Sequence, residues 1–354
     1  MKRFLMVAAV FLLLFLCGCK QEGERKQEGE ETQLILTAGL RDDEVFQIEN
    51  MTCSVAEAMT VLVNMQSRYE ATFGEQIWKV DLGNVSLEEN VKDNAISHLA
   101  RIKSMNLLAK QHGVSLDETE IAKAREAATA YFDSLNETEK QVLGISLEEL
   151  EEMYREYALA DKIYHEIIKD INPEISDDEA RTITVEQICF KTYAMDGTGA
   201  RIEYSEKDKT DVYNRAREVL SLAKMPEADF TQLVLDYSEE ENGTYSFGKG
   251  ETPQAFEEAA FNLETGQISD IIETPDGYYI LKCISTFDRE ETDANKVLIV
   301  EKRKDEVFGQ EYESFAKDLI YVFHDKVWDN VSLPEDEQLK TSNFFEIYQF
   351  YFGE

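Results

Sequence analysis

Gly266-Gln-Ile-Ser-Asp-Ile-Ile-Glu-Thr-Pro-Asp-Gly-Tyr-Tyr-Ile-Leu-Lys-Cys-Ile284 decides how the second half of this chain folds. Pro275-Asp276-Gly277 combines a preset φ, a side chain that can bond its own backbone, and a residue free to take positive φ. Residues 271–274 before it and 278–284 after it are rich in β-branched and aromatic side chains, so the stretch predicts a β-hairpin. Working backwards, residues 182–190 (Thr-Ile-Thr-Val-Glu-Gln-Ile-Cys-Phe) form another β-rich run, read as a strand. Between the two, the period becomes helical, with Val212, Ala216, Val219, Leu220 and Ala223 on one side of a helix. Residues 229–237 predict a second, short helix and residues 253–263 a third, separated by the Gly-rich turn region 242–250. Strand, helices, strand, strand is the order of a small α+β domain of about a hundred residues.

Upstream, Ser-x-x-Glu boxes recur at Ser54/Glu57, Ser86/Glu89, Ser115/Glu118, Ser146/Glu149 and Ser176/Glu179. Each can satisfy orphan N–H groups at a helix start. Leu87, Val91, Ala95, Leu99 and Ile102 make one apolar stripe. Leu147, Leu150, Tyr154, Tyr157, Asp161 and Tyr164 make a second, flawed by Asp161. The aromatic and Met residues here read as core. Downstream, residues 294–328 return to a helical pattern, and the tail 343–352 is apolar and aromatic.

The N-terminus reads as an export signal. Lys2 and Arg3 precede an apolar run over residues 4–16, too short to span a bilayer comfortably. The run ends in Leu16-Cys17-Gly18-Cys19, which resembles a bacterial lipobox and marks Cys19 as the residue to be acylated. A near-duplicated Lys-Gln-Glu-Gly-Glu follows, read as a flexible tether. The remaining Cys53, Cys189 and Cys283 each sit singly in apolar stretches, as buried thiols do.

The whole chain has 354 residues, with 36 Lys plus Arg against 72 Asp plus Glu, a formal net charge of −36. Such a chain repels phosphate backbones, which excludes a nucleic-acid partner. A hydrophobic fraction of 43% excludes disorder over most of the length. His165-Glu166 lacks the second His of a zinc-protease motif because Lys169 stands there, and no phosphate loop of specific spacing occurs. No metal site and no cofactor is implied.

Asp229-Phe230, Tyr237-Ser238, Phe247-Gly-Lys-Gly250, Phe256-Glu-Glu-Ala-Ala-Phe261-Asn-Leu263, Gly266-Gln-Ile-Ser269 and Thr274-Pro-Asp-Gly-Tyr278 fall in one order across residues 182–287. As a set they resemble a parvulin-type peptidyl-prolyl isomerase. With a lipoprotein signal, a helical N-terminal part and a long C-terminal helix, the chain resembles the PrsA/SurA class of extracytoplasmic foldases. The resemblance implies an α+β fold. A helical N-terminal domain over 40–180 is completed by the C-terminal helix and tail over 289–354, and a parvulin-like domain, a small antiparallel sheet flanked by helices, is inserted over 181–288. Residues 1–18 are then the signal peptide and 19–39 the lipidated Cys and tether. The implied partners are unfolded or proline-containing secreted proteins, and the implied location is the outer face of a bacterial cell membrane, reached through the lipid anchor.

The reaction sets modest chemical demands. Rotation about a peptide bond faces a barrier of ~18–20 kcal/mol, and no bond breaks. A catalyst needs an apolar pocket for the proline ring and surroundings that favour the twisted amide. In the family, a His on the first strand, a His on the last strand and a loop Cys or Asp form a hydrogen-bonded cluster beneath an apolar shelf. Carried onto this sequence, those three positions are Gln187, Tyr279 and Glu240, and the shelf is Phe247, Thr252 and Phe256. The histidines, His98, His112, His165 and His324, all lie outside the domain, and Asn-Gly-Thr-Tyr245 replaces the family's Gly-Asp-Leu-Gly. Phe256 and Phe261 fit core or pocket equally.

Two readings follow. In one, Gln187 and Tyr279 hydrogen-bond across the pocket floor with Glu240 as loop carboxylate, and the chain is an isomerase. In the other, the domain is a scaffold for a chaperone that binds clients without isomerising them. A surface-binding lipoprotein of another kind stands behind both. If Gln187 and Tyr279 face one another on adjacent antiparallel strands, Cys189 and Cys283 lie about six residues of strand apart, ~20 Å, too far for a disulfide.

Overall fold

The computed structural model describes residues 40–80, 86–197 and 199–353. The expected signal peptide, Cys19 and the tether lie outside them. After a strand pair, β1 (Glu44–Ile48) and β2 (Met51–Ser54), come five helices: α1 (Val55–Phe73), α2 (Leu87–Gln111), α3 (Glu118–Ser134), α4 (Glu137–Leu143) and α5 (Leu147–Ile168). Reciprocal capping boxes form at Ser54/Glu57, Ser86/Glu89 and Ser146/Glu149. At α3 the cap is Asp117 with Glu120, not Ser115 with Glu118, because the Asp117 carboxylate accepts the N–H groups of both Thr119 and Glu120, at 2.8 and 2.9 Å. Asn136 with Glu139 makes a further box at α4. Ser176 accepts the Glu179 N–H at 3.1 Å but caps only a turn. A strand begins at Ile183, leaving no apolar run for a helix to bury.

The stripe Leu87, Val91, Ala95, Leu99 and Ile102 is buried, as are Leu150, Tyr154 and Tyr157 of α5. Leu147 is exposed, and Asp161 accepts the Tyr348 hydroxyl at 3.3 Å, so the flaw in that stripe has a partner. The helical part also holds a sheet that the sequence reading did not foresee. Its order is β2-β1-β9, where β9 is Tyr321–Phe323, with Phe46 opposite Phe323. Strands of three to five residues show almost no period, and β9 reaches its partner only through a long-range return of the chain.

The α/β part begins with β3 (Ile183–Lys191) and a small unforeseen hairpin, β4 (Tyr193–Met195) and β5 (Arg201–Glu203). The Arg201 guanidinium covers the Tyr193 ring at 3.9 Å and pairs with Asp276 at 2.6 Å, fastening this hairpin to the next one. Then come α6 (Glu206–Ala223), α7 (Phe230–Tyr237), β6 (Thr244–Phe247), α8 (Gln254–Phe261), β7 (Ile272–Thr274) and β8 (Gly277–Ser285). The sheet order is β6-β3-β8-β7, antiparallel throughout. Gly277 has φ +150°, and a Cβ there would stand 2.1 Å from the Phe190 carbonyl oxygen, so the hairpin requires glycine.

Both faces of this sheet are covered, and every residue of β3 except Thr184 and Lys191 is buried, although Glu186 and Gln187 are polar. Ile188, Phe190 and Ile280 pack on Ala216 and Val219 of α6 and Phe230 and Val234 of α7. Ile183, Val185, Leu281 and Cys283 pack on Phe247, Phe256 and Ala260.

The chain then returns through α9 (Arg289–Ala316), β9, α10 (Asp325–Trp328) and α11 (Phe344–Phe352). The helix expected over 294–328 in fact starts at Arg289, capped by Asp288, and gives way to β9. Phe308, Trp328, Phe344 and Tyr348 enter the same core as α1–α5, so the fold is α+β with the α/β unit inserted into the helical part. Phe344 stacks on Tyr154 at 4.6 Å and meets Tyr131 edge-on at 5.3 Å. Its N–H donates to Asn64 Oδ1 at 3.1 Å.

Candidate functional site

Period-two alternation puts Val185, Gln187 and Cys189 of β3 on one sheet face with Tyr279, Leu281 and Cys283 of β8. The ladder pairs Val185 with Cys283, Gln187 with Leu281 and Cys189 with Tyr279. The direct facing of Gln187 and Tyr279 expected from sequence is therefore corrected: they are diagonal neighbours, and the residue opposite Tyr279 is Cys189. The register is slipped by two residues, which keeps every side chain on its face and changes only the partners. Cys189 and Cys283 are free, buried thiols, now four residues of strand apart.

The aromatic wall rises from this face. Phe256 lies 5.5 Å from Phe247, and it meets the Tyr279 ring edge-on at 5.3 Å and 88°. Phe261 backs Phe247 at 5.8 Å, under the Arg181 guanidinium. Phe247 and Phe256 are 1% and 4% exposed, so they form the body of the wall, while Tyr279 and Tyr245 offer its accessible rings. Phe256 is thus core and wall at once. Thr252, just before the Pro253 that opens α8, has its hydroxyl buried without a hydrogen-bond partner.

The loop 238–243 is fastened along β3. Cys189 N–H donates to Ser238 Oγ at 3.1 Å, and Glu239 N–H donates to the Cys189 carbonyl at 2.9 Å. Lys191 N–H donates to the Glu239 carboxylate at 2.8 Å, and Lys191 Nζ pairs with Glu240 at 3.2 Å. At the far end, Gln187 N–H donates to the Gly243 carbonyl at 2.8 Å and its side-chain amide to the Asn242 carbonyl at 3.2 Å. Gly243 fits because a Cβ would meet Val234 Cγ1 at 2.6 Å. Gln187 and Glu240 therefore hold the loop in place, one at each end of it.

Burial pushes the Cys189 thiol up to about 11, moderated by its hydrogen bond with Tyr279, while Glu240 pushes it further up. Burial, then that same bond, pushes the Tyr279 phenol well above its ordinary value. Both are neutral at physiological pH, donors and acceptors rather than ions. The sequence marks Cys189 only as a buried thiol; its place two residues on from Gln187, on the same face, is the signal for its position opposite Tyr279. Among the described residues no cluster of His, Cys, Asp or Glu is arranged to hold a metal ion, and no helix is long and apolar enough to cross a membrane.

Residues 195–285 match the family described as PPIC-type PPIase domain, or rotamase. The match begins after β3, the strand that carries Gln187 and Cys189. The foldase protein PrsA of Caldanaerobacter subterraneus subsp. tengcongensis is 24% identical over 325 residues, covering 88% of this chain and 93% of the relative. The protein of that name from Streptococcus mutans serotype c is 25% identical over 234 residues, 64% of this chain and 65% of the relative. Among solved structures, a peptidylprolyl isomerase (PrsA) from Bacillus cereus is 20% identical with a TM-score of 0.36, over 76% of this chain and 96% of that one.

Proposed function

We propose that this chain, which carries a parvulin-type isomerase domain within a PrsA-like helical frame, is an extracytoplasmic foldase. It catalyses cis–trans isomerisation of X–Pro bonds in secreted proteins and is held at the bacterial membrane by acyl chains on Cys19. One observation carries the reading: the span that matches the rotamase family supplies the wall, Phe256 and Tyr279, and sets it beside polar groups of β3. A proline ring packed on Tyr279 and Phe256 leaves water, and the amide that precedes it loses solvent hydrogen bonds that favour its planar form. Tyr279, whose ring is part of that wall, carries a neutral hydroxyl that can donate. No nucleophile or cofactor enters.

A chaperone-only reading is favoured by one feature: Gln187 and Glu240 are engaged by Asn242 and Lys191 rather than by each other or by Tyr279. Turnover of a chromogenic X–Pro peptide by the full chain, run beside suppression of aggregation of a denatured protein, separates the two. Peptide turnover supports the isomerase, whereas aggregation suppression without turnover of any X–Pro peptide decides for the chaperone. For the anchor, Cys19→Ser should leave the precursor uncleaved or release the protein from membranes. Normal processing and retention in that variant would sink the lipoprotein reading.

A further inference from the structure

We propose that the free edge of β6 is the client-binding strand of the isomerase site, where an extended segment of polypeptide next to the X–Pro bond joins the sheet by main-chain pairing. The inference rests on the isomerase reading above and names how that site takes hold of a long substrate.

β6 ends the sheet order, so only one side of it is paired, by β3. Thr244, Tyr245 and Ser246 are exposed, and Phe247 alone in the strand is buried. Edge strands are ordinarily guarded by a charge, a proline or a covering element, or by being very short. Thr-Tyr-Ser-Phe carries neither charge nor proline, and its guard is its length of four residues.

The ladder decides which of its groups are open to a partner. Gln187 N–H donates to the Gly243 carbonyl at 2.8 Å, continuing the register in which Glu186 stands opposite Thr244. Bonded and non-bonded pairs alternate along an antiparallel ladder, so Val185 with Tyr245 and Ile183 with Phe247 are the further bonded pairs. Two other contacts fit this phase. Cys189 turns its N–H and carbonyl to Ser238 and Glu239, on the β6 side. Leu281, opposite Gln187 on β8, turns its carbonyl away to the Ser269 N–H. Thr184 with Ser246 is then a non-bonded pair, and its two hydroxyls lie 2.9 Å apart, as the closer side-chain approach of such a pair allows. Thr244 and Ser246 therefore each direct an N–H and a C=O away from β3, two donors and two acceptors in line.

Continuity with the wall fixes the occupant. Tyr245 stacks on Phe247 at 5.2 Å and 19°, Phe247 lies 5.5 Å from Phe256, and Phe256 meets Tyr279 at 5.3 Å. One row of rings leads from the edge strand to the place where the proline packs. Roughly five extended residues, at ~3.3 Å each, cover that row. Proline has no N–H, so the paired residues lie to one side of it. Main-chain pairing reads no particular side chain, which suits a catalyst whose clients share only an unfolded main chain. Two paired residues hold weakly, so the segment leaves after turnover.

The test uses the full chain with a labelled four-residue X–Pro peptide and a labelled twelve-residue peptide that has the same bond at its centre. By fluorescence anisotropy the long peptide should bind at least about tenfold more tightly than the short one, with KM lowered in parallel. Single N-methyl groups are then walked along the long peptide. On one flank of the X–Pro bond Kd should rise about fivefold at two positions two residues apart, and by less than about twofold at the residue between, because alternate N–H groups face the edge. Ser246→Pro removes one outward N–H at a position where an edge strand tolerates proline. In that variant the advantage of the long peptide should shrink about fivefold, and one of the two sensitive methyl positions should lose its effect. The methyl scan uses the wild-type chain, so it decides even where Ser246→Pro does not fold. Equal Kd for the two peptides, or a scan without the two-residue alternation, would overturn the edge pairing and leave the isomerase reading standing. An alternating scan from a chain that turns over no X–Pro peptide would sink the isomerase reading and keep the edge as a client-binding strand.

Discussion

Cys189 stands opposite Tyr279 across the β3–β8 ladder, while Gln187 stands opposite Leu281. That pairing decides what chemistry the sheet face can offer. A glutamine and a tyrosine in direct register would make a floor of two exposed polar tips. The observed pairing instead sets the buried Cys189 opposite the tyrosine, and the glutamine amide donates to the loop carbonyl of Asn242. Where it carries the aromatic wall the face is built of neutral side chains, and the ion pair of Lys191 with Glu240 stands at the loop edge.

Phe256→Ala tests the wall. The ring touches both Phe247 and Tyr279, so its removal opens a cavity and frees Tyr279 to tilt. Isomerase kcat/KM should fall on the order of tenfold, with a lowered melting temperature, and Phe256→Leu should restore the stability more fully than the rate. A Phe256→Ala chain that melts early yet turns over X–Pro peptide at the wild-type rate would show that the ring is core alone.

The thiols test the register. Cys53, Cys189 and Cys283 should all map as unbridged by mass spectrometry and label with a thiol reagent only after denaturation, since all three are buried. With Val185 opposite Cys283 and Cys189 opposite Tyr279, the Cys189 and Cys283 positions are four residues of strand apart, ~13 Å, against the ~7 Å that a disulfide tolerates. Recovery of a Cys189–Cys283 bridge would refute the pairing.

The inserted α/β unit was legible because its signals are local. Pro275-Asp276-Gly277 fixes a turn by itself, and the apolar side of α6 repeats within one helix. The α2 stripe was legible for the same reason. What stayed hidden depends on distance or on a register step. Strand β9 is three residues long and pairs with β1 at the other end of the helical part. The true cap at Asp117 lies two residues from a decoy at Ser115, and only the geometry of the carboxylate chooses between them. The two-residue step that brings Cys189 to Tyr279 leaves every side chain on its expected face, so hydrophobic pattern alone cannot sense it.

Phe344→Ala tests the return of the C-terminal segment. Phe344 is fully buried between Tyr154 and Tyr131, and its backbone N–H is held by Asn64. Truncation should cost ~3–5 kcal/mol in chemical denaturation of the helical core. Turnover of a short X–Pro peptide should stay within about twofold of wild type, because the α/β unit has cores of its own. Equal loss of both would mean that the isomerase unit depends on the helical part for its fold.

The last prediction concerns a buried ion cluster under α1. Lys103 Nζ lies 2.6 Å from Glu57 and 2.7 Å from Glu156, one ammonium between two carboxylates, all of them buried. Glu57 also closes the α1 capping box by accepting the Ser54 N–H at 2.7 Å, so its place is fixed twice. Burial alone would depress the lysine, but the two carboxylates outweigh it and hold the ammonium above its ordinary range. Glu156 is the member left short of charge: burial raises it to about 7, against the pull of Lys103. The folded chain therefore keeps a proton on Glu156 where the unfolded chain has released it. Its contribution to stability falls as pH rises from the ordinary glutamate value through about 7, and is constant above. Glu156→Gln should remove that slope and leave the protein more stable than wild type at about pH 8, with little difference below about pH 4. Lys103→Met should cost ~3–5 kcal/mol at about pH 8 by leaving two buried carboxylates unpaired, and adding Glu156→Gln should recover part of the loss. Urea denaturation across this pH range checks both, and a Glu156→Gln variant whose stability tracks wild type at every pH would show that Glu156 is ionised in the folded chain as it is in water.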